Sequence, residues 1–477
     1  MRAGPFLKLI VFLPILLVFT LLHAQVKKAA FWLSDPDSGI LFRQQPSISP
    51  EDGKLFARPT QDLPQPGEFI VVNPAQKYQS VDGFGWALTG GSAQHLMRMG
   101  SAERTALLNE LFSTKGSAIG ASYIRLSIGA SDLNEKVFSY DDLPAGQTDT
   151  ALLKFDLGPD KADVIPVMKQ ILRINPAIKV MGSPWSPPVW MKDNNDTRGG
   201  SLRPEYFPVY ARYLAKYIVE MKKQGIVIDA ITVQNEPLHP GNNPSLLMLA
   251  ADQAVFVRDH LGPVFKKQGI KTKIIVYDHN ADKPEYPISI LNDPEARKYV
   301  DGSAFHLYGG KIEALTTVHD AHPDKNLYFT EQWVGAPGKM PRDLREHTRN
   351  LTIGAMRNWS RTVIEWNLAA DPNSDPHTDR GGCDRCLGAV TIDKNAVTRN
   401  PAYYIIAHVS KFVRPGSVRI ASTASVTLPN VAFKTPDGKI VVLILNDTKE
   451  AISFSILNGP SSVTTRLSAG AIGTYIF

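Results

Sequence analysis

The chain is poor in cysteine, and this shortage limits what the protein can be. Its 477 residues contain only two cysteines, Cys383 and Cys386, in a C-x-x-C arrangement. A zinc site would need two further ligands close by, and a thioredoxin-type motif would need an early βαβ context. Neither accompanies these cysteines. The spacing therefore predicts one short-range disulfide that stiffens a loop in an exported protein.

The chain also lacks a strong charge of one sign. Its formal net charge is +6, with 52 basic and 46 acidic residues. Because acids and bases are interspersed, this balance argues against a nucleic acid or a membrane surface as the partner. No second run of 18 apolar residues follows the one near the start of the chain. We therefore expect no stable membrane insertion once the N-terminal segment is removed.

The N-terminal segment has the pattern of a secretory signal peptide. Arg2 and Lys8 precede an apolar run from Leu9 to Leu22, and the small residue Ala24 follows shortly afterwards. This run is too short to span a membrane comfortably, and its order of basic, apolar and small residues predicts cleavage after Ala24. The mature protein is then expected to be secreted or periplasmic.

No G-x-G-x-x-G follows the first predicted strand, which disfavours a doubly wound sheet. From about residue 79 strands alternate with helices, of which Pro204–Gly225 is the clearest and the segment near Pro401–Phe412 is the last. This count predicts a (β/α)8 TIM barrel over residues 79–412. The eight predicted barrel strands are Ser80–Phe84, Ser122–Ile128, Lys179–Gly182, Ala230–Val233, Lys273–Tyr277, Gly302–His306, Asn326–Thr330 and Arg361–Trp366.

Segments on both sides of the barrel have strand patterns instead. Residues 25–78 contain short strands and turns, and residues 413–477 return to strands. Pro436-Asp437-Gly438 separates two apolar runs and predicts a hairpin. We expect the two terminal segments to form one β-sandwich side domain that packs on the barrel.

The chemistry-bearing residues stand at the C-terminal ends of the predicted barrel strands, where TIM-barrel enzymes place their active sites. The residues found there are Arg125, Trp185, Asn235, Glu236, His306, Tyr308, Glu331, Trp333 and Trp366. Two carboxylates flanked by aromatic platforms are what glycoside hydrolysis requires. Asn235, beside one of them, is placed to hydrogen-bond a sugar 2-hydroxyl. The fourth and seventh strands face each other, so a separation of about 5 Å between Glu236 and Glu331 is feasible and predicts retention of configuration.

Each of these residues also has an ordinary structural interpretation when taken alone. Asn235-Glu236-Pro237 is compatible with a strand-ending turn, Glu331 with a structural salt bridge, Trp185 with the core and His306 with a buried barrel histidine. The combination favours one sugar-cleaving site, because that single hypothesis explains all of them. The pattern predicts no metal and no cofactor.

Several longer motifs resemble glycoside hydrolase family 30, the glucosylceramidase-like family of retaining (β/α)8 glycosidases. The resemblance runs from about residue 30 to the end of the chain. It implies that Glu236 is the general acid/base and Glu331 the nucleophile, with Arg125 supporting the nucleophile. It also implies that Trp185, Asn235, His306, Tyr308 and Trp366 contact the sugar. The motifs are Asp82-Gly83-Phe84-Gly85, Ile124-Arg125-Leu126-Ser127, Ser183-Pro184-Trp185-Ser186-Pro187-Pro188-Val189-Trp190-Met191-Lys192, Gln234-Asn235-Glu236-Pro237, His306-Leu307-Tyr308, Thr330-Glu331 and Trp366-Asn367-Leu368.

The chain departs from the family pattern after its first barrel strand. Glucosylceramidases resemble G-F-G-G-A-M-T-D there, with the Asp expected on the outer hydroxyls of glucose, whereas this chain has Gly90. Losing a buried acceptor weakens discrimination at those hydroxyls, so galactose, fucose and xylose stay open beside glucose. The rim loop after the eighth strand carries Asp384, a candidate replacement for the missing acceptor.

The resemblance favours an exo-acting, glucosylceramidase-like β-glycosidase. Its substrate would be a β-glycoside, an oligosaccharide or a glycolipid. An endo-acting β-glucanase or xylanase is the first alternative, and a β-fucosidase or β-galactosidase of the same family is another. A non-catalytic carbohydrate-binding protein ranks last, because it would be expected to lack one of the glutamates, and both are present.

Overall fold

The computed structural model describes Gly4 and residues 28–49, 68–459 and 461–477. Apart from Gly4, the predicted signal peptide and its cleavage site lie outside these residues. Among the helices of the described ranges, none is long and apolar enough to cross a membrane.

Eight parallel strands close into a barrel, which confirms the predicted fold class. Their order around the barrel is β10-β12-β4-β5-β6-β7-β8-β9. A layer of buried side chains from these strands, including Tyr123, Ile275 and Tyr328, fills the barrel interior. The strands of this region are β4 Gly83–Leu88, β5 Tyr123–Ile128, β6 Lys179–Pro184, β7 Ala230–Thr232, β8 Lys273–Ala281, β9 Val300–Gly310, β10 Asn326–Glu331, the short β11 Val334–Gly335 and β12 Ser360–Glu365.

Helices cover the outside of the barrel. The predicted helix at Pro204–Gly225 is present as one 3₁₀ turn, Pro204–Tyr206, followed by the helix α4, Phe207–Lys223. The buried apolar residues of α4 form a continuous stripe against the barrel. The helices are α1 Gly90–Arg98, α2 Ser101–Phe112, α3 Val164–Ile174, α4 Phe207–Lys223, α5 Ala250–Val255, α6 Gly262–Gln268, α7 Glu285–Asn292, α8 Pro294–Arg297, α9 Ala314–Ala321, α10 Met340–His347 and α11 Pro401–Ser410, with π-helical segments at Phe256–Leu261 and Thr348–Ala355.

The side domain is built from both ends of the chain, as the terminal strand patterns predict. Its nine strands follow the order β2-β1-β22-β19-β18-β17-β3-β20-β21, so N-terminal strands pair directly with C-terminal ones. The hairpin predicted at Pro436-Asp437-Gly438 joins β18 to β19. The strands are β1 Ala29–Asp35, β2 Ile40–Ile48, β3 Glu68–Ser80, β17 Val418–Ser422, β18 Asn430–Lys434, β19 Ile440–Leu445, β20 Ile452–Asn458, β21 Ser461–Leu467 and β22 Ile472–Ile476, and four short strands, β13 Ala369–Ala370, β14 Cys386–Leu387, β15 Val390–Asp393 and β16 Ala396–Arg399, lie in the loop after β12.

The first barrel strand begins later than the sequence pattern predicts. Residues up to Ser80 belong to β3 of the side domain, and after Val81 and Asp82 the chain enters the barrel as β4 at Gly83. Gly85 is required in β4, because a Cβ there would lie 1.8 Å from the Tyr123 carbonyl oxygen of β5. Asp82 therefore stands at the N-terminal end of the barrel, opposite the strand ends that form the active site, where it pairs with Arg361.

Buried and partly buried polar contacts join the two domains. His408 of α11 is fully buried and hydrogen-bonds Ser34 of β1 and Thr474 of β22 through its two ring nitrogens. Asp447 of the side domain accepts hydrogen bonds from Arg345, in the barrel helix α10, and from Arg349, in the π-helical segment that follows it. These contacts fix the side domain against the barrel.

Candidate active site

A cavity of about 330 Å³ opens at the C-terminal ends of the barrel strands. Both predicted catalytic glutamates line it. Among the residues that the structure describes, its lining contains carboxylates, amides, imidazole, aromatic rings and a disulfide, and no aliphatic side chain. The lining residues are Asp132, Trp185, Glu236, His239, Asn242, Asn280, Tyr308, Glu331, Trp333, Trp366, Cys383 and Cys386.

Glu236 follows β7 in a strained backbone conformation. Its φ is 45°, in the left-handed region that non-glycine residues rarely adopt. The conformation is held by the Glu236 N–H, which donates to the Asp278 carbonyl at 2.9 Å. On the carboxylate, Oε1 lies 3.3 Å from His306 Nδ1 and Oε2 accepts from Asn242 Nδ2 at 3.2 Å. The side chain is thus fixed by contacts on both oxygens.

Glu331 is the last residue of β10, and positive or hydroxyl donors hold both of its carboxylate oxygens. Arg125 Nη1 donates to Oε2 at 2.6 Å, and the Tyr308 hydroxyl donates to Oε1 at 3.0 Å. An oxygen of Glu331 and an oxygen of Glu236 lie within 4.8 Å of each other. This spacing suits a retaining glycosidase, whose second carboxylate attacks the sugar directly.

Asp278 organises the groups behind the cavity, although the sequence analysis did not predict it as a site residue. It is fully buried, and it accepts hydrogen bonds from Arg125 Nη2 at 2.8 Å and from the hydroxyls of Thr232 and Thr330 at 2.6 Å each. His306 Nε2 lies 3.1 Å from Asp278 Oδ1, the oxygen that also accepts from Thr330. Asp278 therefore anchors both cationic groups that contact the catalytic glutamates.

A bulge in β8 is what directs Asp278 into the barrel. The register of β8 against β9 shifts between Tyr277 and His279, and both Tyr277 and Asp278 have positive φ values. Such a bulge changes the direction of a side chain without ending the strand. The predicted strand ends at Tyr277, one residue short of this feature.

The charge balance of the site allows one shared proton on the two glutamates. Burial disfavours the charged form of His306, but Glu331 and the hydrogen bond to Asp278 outweigh it and raise the pKa of His306 to about 9. Arg125⁺ and His306⁺ then face Asp278⁻ and the glutamate pair. With one proton on the pair, this buried cluster is neutral, which is the favourable state at low dielectric.

The direct donors to each glutamate distinguish their roles. Burial and the nearby Glu236 carboxylate raise the pKa of Glu331 in the empty cavity. Arg125 and Tyr308 nevertheless donate to both oxygens of Glu331 and favour its charged form once a sugar is bound. Burial opposes the charged form of Glu236, but the hydrogen bond and the charge of His306 outweigh it and lower the pKa of Glu236 in the empty cavity. Among the described residues, no guanidinium or hydroxyl donates to the Glu236 carboxylate, whose partners are His306 and Asn242. The arrangement therefore suits Glu331 as nucleophile and Glu236 as the acid that faces the leaving group.

Aromatic rings form one wall of the cavity. Trp185 and Trp366 lie with their ring centroids 5.4 Å apart at 30°. The Arg125 guanidinium carbon stands 4.9 Å from the Trp185 centroid, so this cation is covered by an aromatic face. Trp333 packs with this group beside the disulfide. Flat apolar surfaces of this kind suit the C–H face of a sugar ring.

The carboxylate that accompanies the glutamates in the cavity is Asp132, and the prediction that Asp384 fills this position is wrong. The Asp384 side chain is 77% exposed beside Arg385 and does not line the cavity. Asp132 follows β5, is buried, and lines the cavity. Burial, with the neighbouring Glu331 and Glu236, raises its pKa to about 7.

The structure also explains Gly90. A Cβ at this position would lie 1.9 Å from Asn134 Nδ2. Asn134 Oδ1 accepts from the Ser131 N–H at 2.9 Å and so shapes the turn that carries Asp132. Gly90 makes room for this turn. Its presence does not deprive the cavity of a carboxylate acceptor.

Glu236, His306 and Glu331 form the one cluster in the described part of the chain whose atoms are close enough to hold a metal ion. The chemistry of this cluster does not suit a cation. Arg125 already stands 2.6 Å from Glu331, and His306 is protonated below a pH of about 9. A further positive charge would be repelled by both groups.

The structure brings the other predicted residues together. Arg125, Asn235 and His306 lie buried directly behind the cavity wall, and Asn235 Oδ1 accepts from Arg125 Nη2 at 2.7 Å. Cys383 and Cys386 form a disulfide at the rim. Besides Asp278 and Asp132, the prediction missed His239, Asn242 and Asn280. His239 and Asn242 come from the loop after β7, and Asn280 lies in β8 beyond the point where the predicted strand ends.

Models of known families match both domains. The glycosyl hydrolase family 30 TIM-barrel domain matches residues 81–413, and the glycosyl hydrolase family 30 beta sandwich domain matches residues 416–475. An endo-1,6-beta-D-glucanase of Neurospora crassa is 36% identical over 395 residues, covering 79% of this chain and 81% of that protein. A lysosomal acid glucosylceramidase of Mus musculus is 30% identical over 440 residues, covering 86% of this chain and 84% of that protein.

A solved structure has the same architecture over nearly the whole chain. The endo-beta1,6-glucanase BT3312 superposes with a TM-score of 0.85 at 34% sequence identity, and the match covers 94% of this chain and 99% of that one. Because the family models span both domains and the paired carboxylates have the spacing of a retaining enzyme, the protein belongs to glycosyl hydrolase family 30 and is a retaining glycosidase.

Proposed function

We propose that the protein is an endo-acting β-1,6-glucanase. Both the Neurospora crassa relative and the similar solved structure carry that activity in their names. This proposal takes up the endo alternative of the sequence analysis in place of the glucosylceramidase-like exo activity, whose named relative is 30% identical. The main support comes from the leaving-group side of the cavity.

The groups around the acid Glu236 suit a sugar leaving group better than a lipid. Asn242 donates to the Glu236 carboxylate, and His239 and Asn280 line the cavity with it. A ceramide would need apolar surface to cover its chains, and the described lining of the cavity offers no aliphatic side chain. Amide and imidazole groups instead match the hydroxyls of a following glucose. This polar lining is the observation that carries the proposal.

The proposed reaction is a double displacement. Glu331 attacks the anomeric carbon of one glucose while Glu236 protonates the glycosidic oxygen. The next glucose then leaves with that oxygen as its C6 hydroxyl. Arg125 and Tyr308, which hold Glu331 before attack, then face an uncharged ester. Glu236 has given up its proton by then, and the esterified Glu331 no longer places a negative charge beside it. Glu236 therefore stays ionised and accepts a proton from the incoming water. The product keeps the β configuration.

A panel of polymers tests the proposal. Linear β-1,6-glucan is compared with β-1,3-glucan, β-1,4-glucan, xylan and a β-glucosyl lipid, with product lengths followed over time by chromatography. We expect β-1,6-glucan to be cleaved fastest and to give mixed oligosaccharides before glucose accumulates. Glu331→Gln serves as the inactive control. Early release of glucose alone would favour an exo enzyme, and preferred cleavage of the lipid would overturn the proposal.

We also propose that the enzyme acts outside the cytoplasm. The N-terminal pattern ending at Ala24 and the Cys383–Cys386 disulfide both suit an exported protein. N-terminal sequencing of the protein recovered from its native host should begin at Gln25. A chain that still begins at Met1 would contradict cleavage.

A further inference from the structure

We propose that the Cys383–Cys386 disulfide is a positioning element for substrate binding, which holds the Asp132 carboxylate in place as an acceptor for sugar hydroxyls. The inference deepens the proposed function, because it concerns the same sugar site. It assigns a role in recognition to a bond that would otherwise only stiffen a surface loop. Both cysteines line the cavity together with Asp132.

The disulfide loop is attached to the strand pair that follows the nucleophile. β14, which begins at Cys386, pairs with β11, and Cys386 stands opposite Gly335. The Ala336 N–H donates to the Arg385 carbonyl at 2.8 Å. One end of the loop is therefore fixed four residues beyond Glu331.

The other end of the loop lies against the turn that carries Asp132. The Thr378 N–H donates to the Asp132 carbonyl at 2.9 Å. Gly382 packs so closely on this segment that a Cβ there would lie 2.2 Å from the Thr378 carbonyl oxygen. The backbone N–H of Cys383 then faces the Asp132 carboxylate. The disulfide joins Cys383, at the end beside the Asp132 turn, to Cys386, at the end paired with β11. It therefore connects the segment that follows Glu331 to the turn that carries Asp132.

The Asp132 carboxylate needs such a donor because its surroundings oppose its charge. Glu236 from the loop after β7, Glu331 from β10 and the Tyr308 hydroxyl from β9 all interact with it electrostatically, and two of these three groups are carboxylates. Burial adds to their effect, whereas the Cys383 N–H lowers the pKa of Asp132. At a pKa of about 7, even a small displacement of this N–H changes how much of Asp132 is charged at neutral pH.

The expected consequence is a pH-dependent loss of substrate binding. Removing the disulfide by Cys383→Ser with Cys386→Ser frees the Cys383 N–H, so Asp132 stays protonated to higher pH. We expect KM at pH 7 to rise about tenfold, the effect of losing one hydrogen bond to a charged group. The midpoint of the KM–pH profile should move upward, and kcat should change much less.

A double-mutant cycle separates this role from a general loss of stability. In Asp132→Asn the side chain cannot titrate, so we expect the two serine substitutions to change KM less than twofold in that background. Equal KM effects in both backgrounds, or an unshifted midpoint of the KM–pH profile, would overturn the inference. Reduction of the parent enzyme with a phosphine and reoxidation serves as a second route, and KM should rise and return.

The substrate for this test is the aryl β-glycoside that the enzyme turns over fastest, measured in parallel with β-1,6-glucan. If the parent enzyme cleaves the aryl glycoside but spares β-1,6-glucan, the proposed function fails while the disulfide effect is still measured. If it cleaves both and the cycle shows no coupling, only the present inference fails.

Discussion

Replacing Asp278 by asparagine should damage both the stability and the pH behaviour of the enzyme. The carboxylate accepts from Arg125, Thr232 and Thr330 and stands 3.1 Å from His306. An asparagine amide presents N–H groups to some of these donors and leaves Arg125 without its full counter-charge. Breaking a buried ion pair on one side costs about 3–5 kcal/mol of unfolding free energy.

The pH dependence follows from His306. Its pKa is about 9 in the folded protein, above its ordinary value. Because this pKa is higher in the folded than in the unfolded protein, protonated His306 contributes its full stabilisation below the unfolded-state pKa of about 6.5. The contribution is lost as the pH rises through the folded-state pKa of about 9. The shift corresponds to about 3 kcal/mol. Without Asp278 the pKa of His306 falls, so a new ionisation should appear between pH 6 and 8 in kcat/KM.

The assay combines urea unfolding at several pH values with a pH–rate profile on an aryl β-glycoside. Asp82→Asn is the matched control, because Asp82 is a buried acid paired with Arg361 at the opposite end of the barrel. We expect the control to lose stability and to keep the parent pH–rate profile. If Asp278→Asn unfolds with the parent's free energy and shows the parent's profile, the organising role of Asp278 is refuted.

Two further outcomes are expected. Glu236→Ala should lose turnover by about 10²–10⁴-fold, and azide should rescue it on an activated aryl glycoside with a β-glycosyl azide as product, as proton NMR would show; an α product would reverse the roles of Glu236 and Glu331. Asp447→Ala should lower the free energy of unfolding by about 1–3 kcal/mol, because Asp447 joins Arg345 and Arg349 across the domains. Calorimetry would measure this loss, and kcat/KM should stay at the parent value. An unchanged melting temperature, or a fall in kcat/KM alongside the fall in stability, would contradict a purely interdomain role.

The barrel and its catalytic pair could be predicted because they depend on simple rules. Apolar strands alternate with helices, and the ends of parallel strands meet at one face of the barrel. Glu236 and Glu331 stand at or just beyond such ends, so their meeting follows from the count of strands. Arg125, inside β5, joins them because its long side chain reaches the same face.

Asp278 and Asp132 could not be found in this way, for two different reasons. Asp278 is directed inward by a bulge, and an extra residue within a strand leaves no mark in an apolar pattern. Asp132 lies in an irregular turn whose shape depends on Asn134 and on the space above Gly90, which are contacts between segments distant in sequence. The error at Asp384 has the same origin, because an acidic residue in a rim loop points inward or outward according to the fold of that loop.

The strained residues of the site show why its geometry is present before a sugar arrives. Glu236, Asp278 and Asn367 all have positive φ values at the barrel mouth, and each such conformation costs about 1–3 kcal/mol. The Glu236 N–H donates to the Asp278 carbonyl, and the Asn367 carbonyl accepts from the Ala389 N–H. The strained positions are thus held by hydrogen bonds to each other and to the disulfide-bearing loop region. Because the fold compensates for this strain elsewhere, the carboxylates need little reorganisation when charge develops on the sugar.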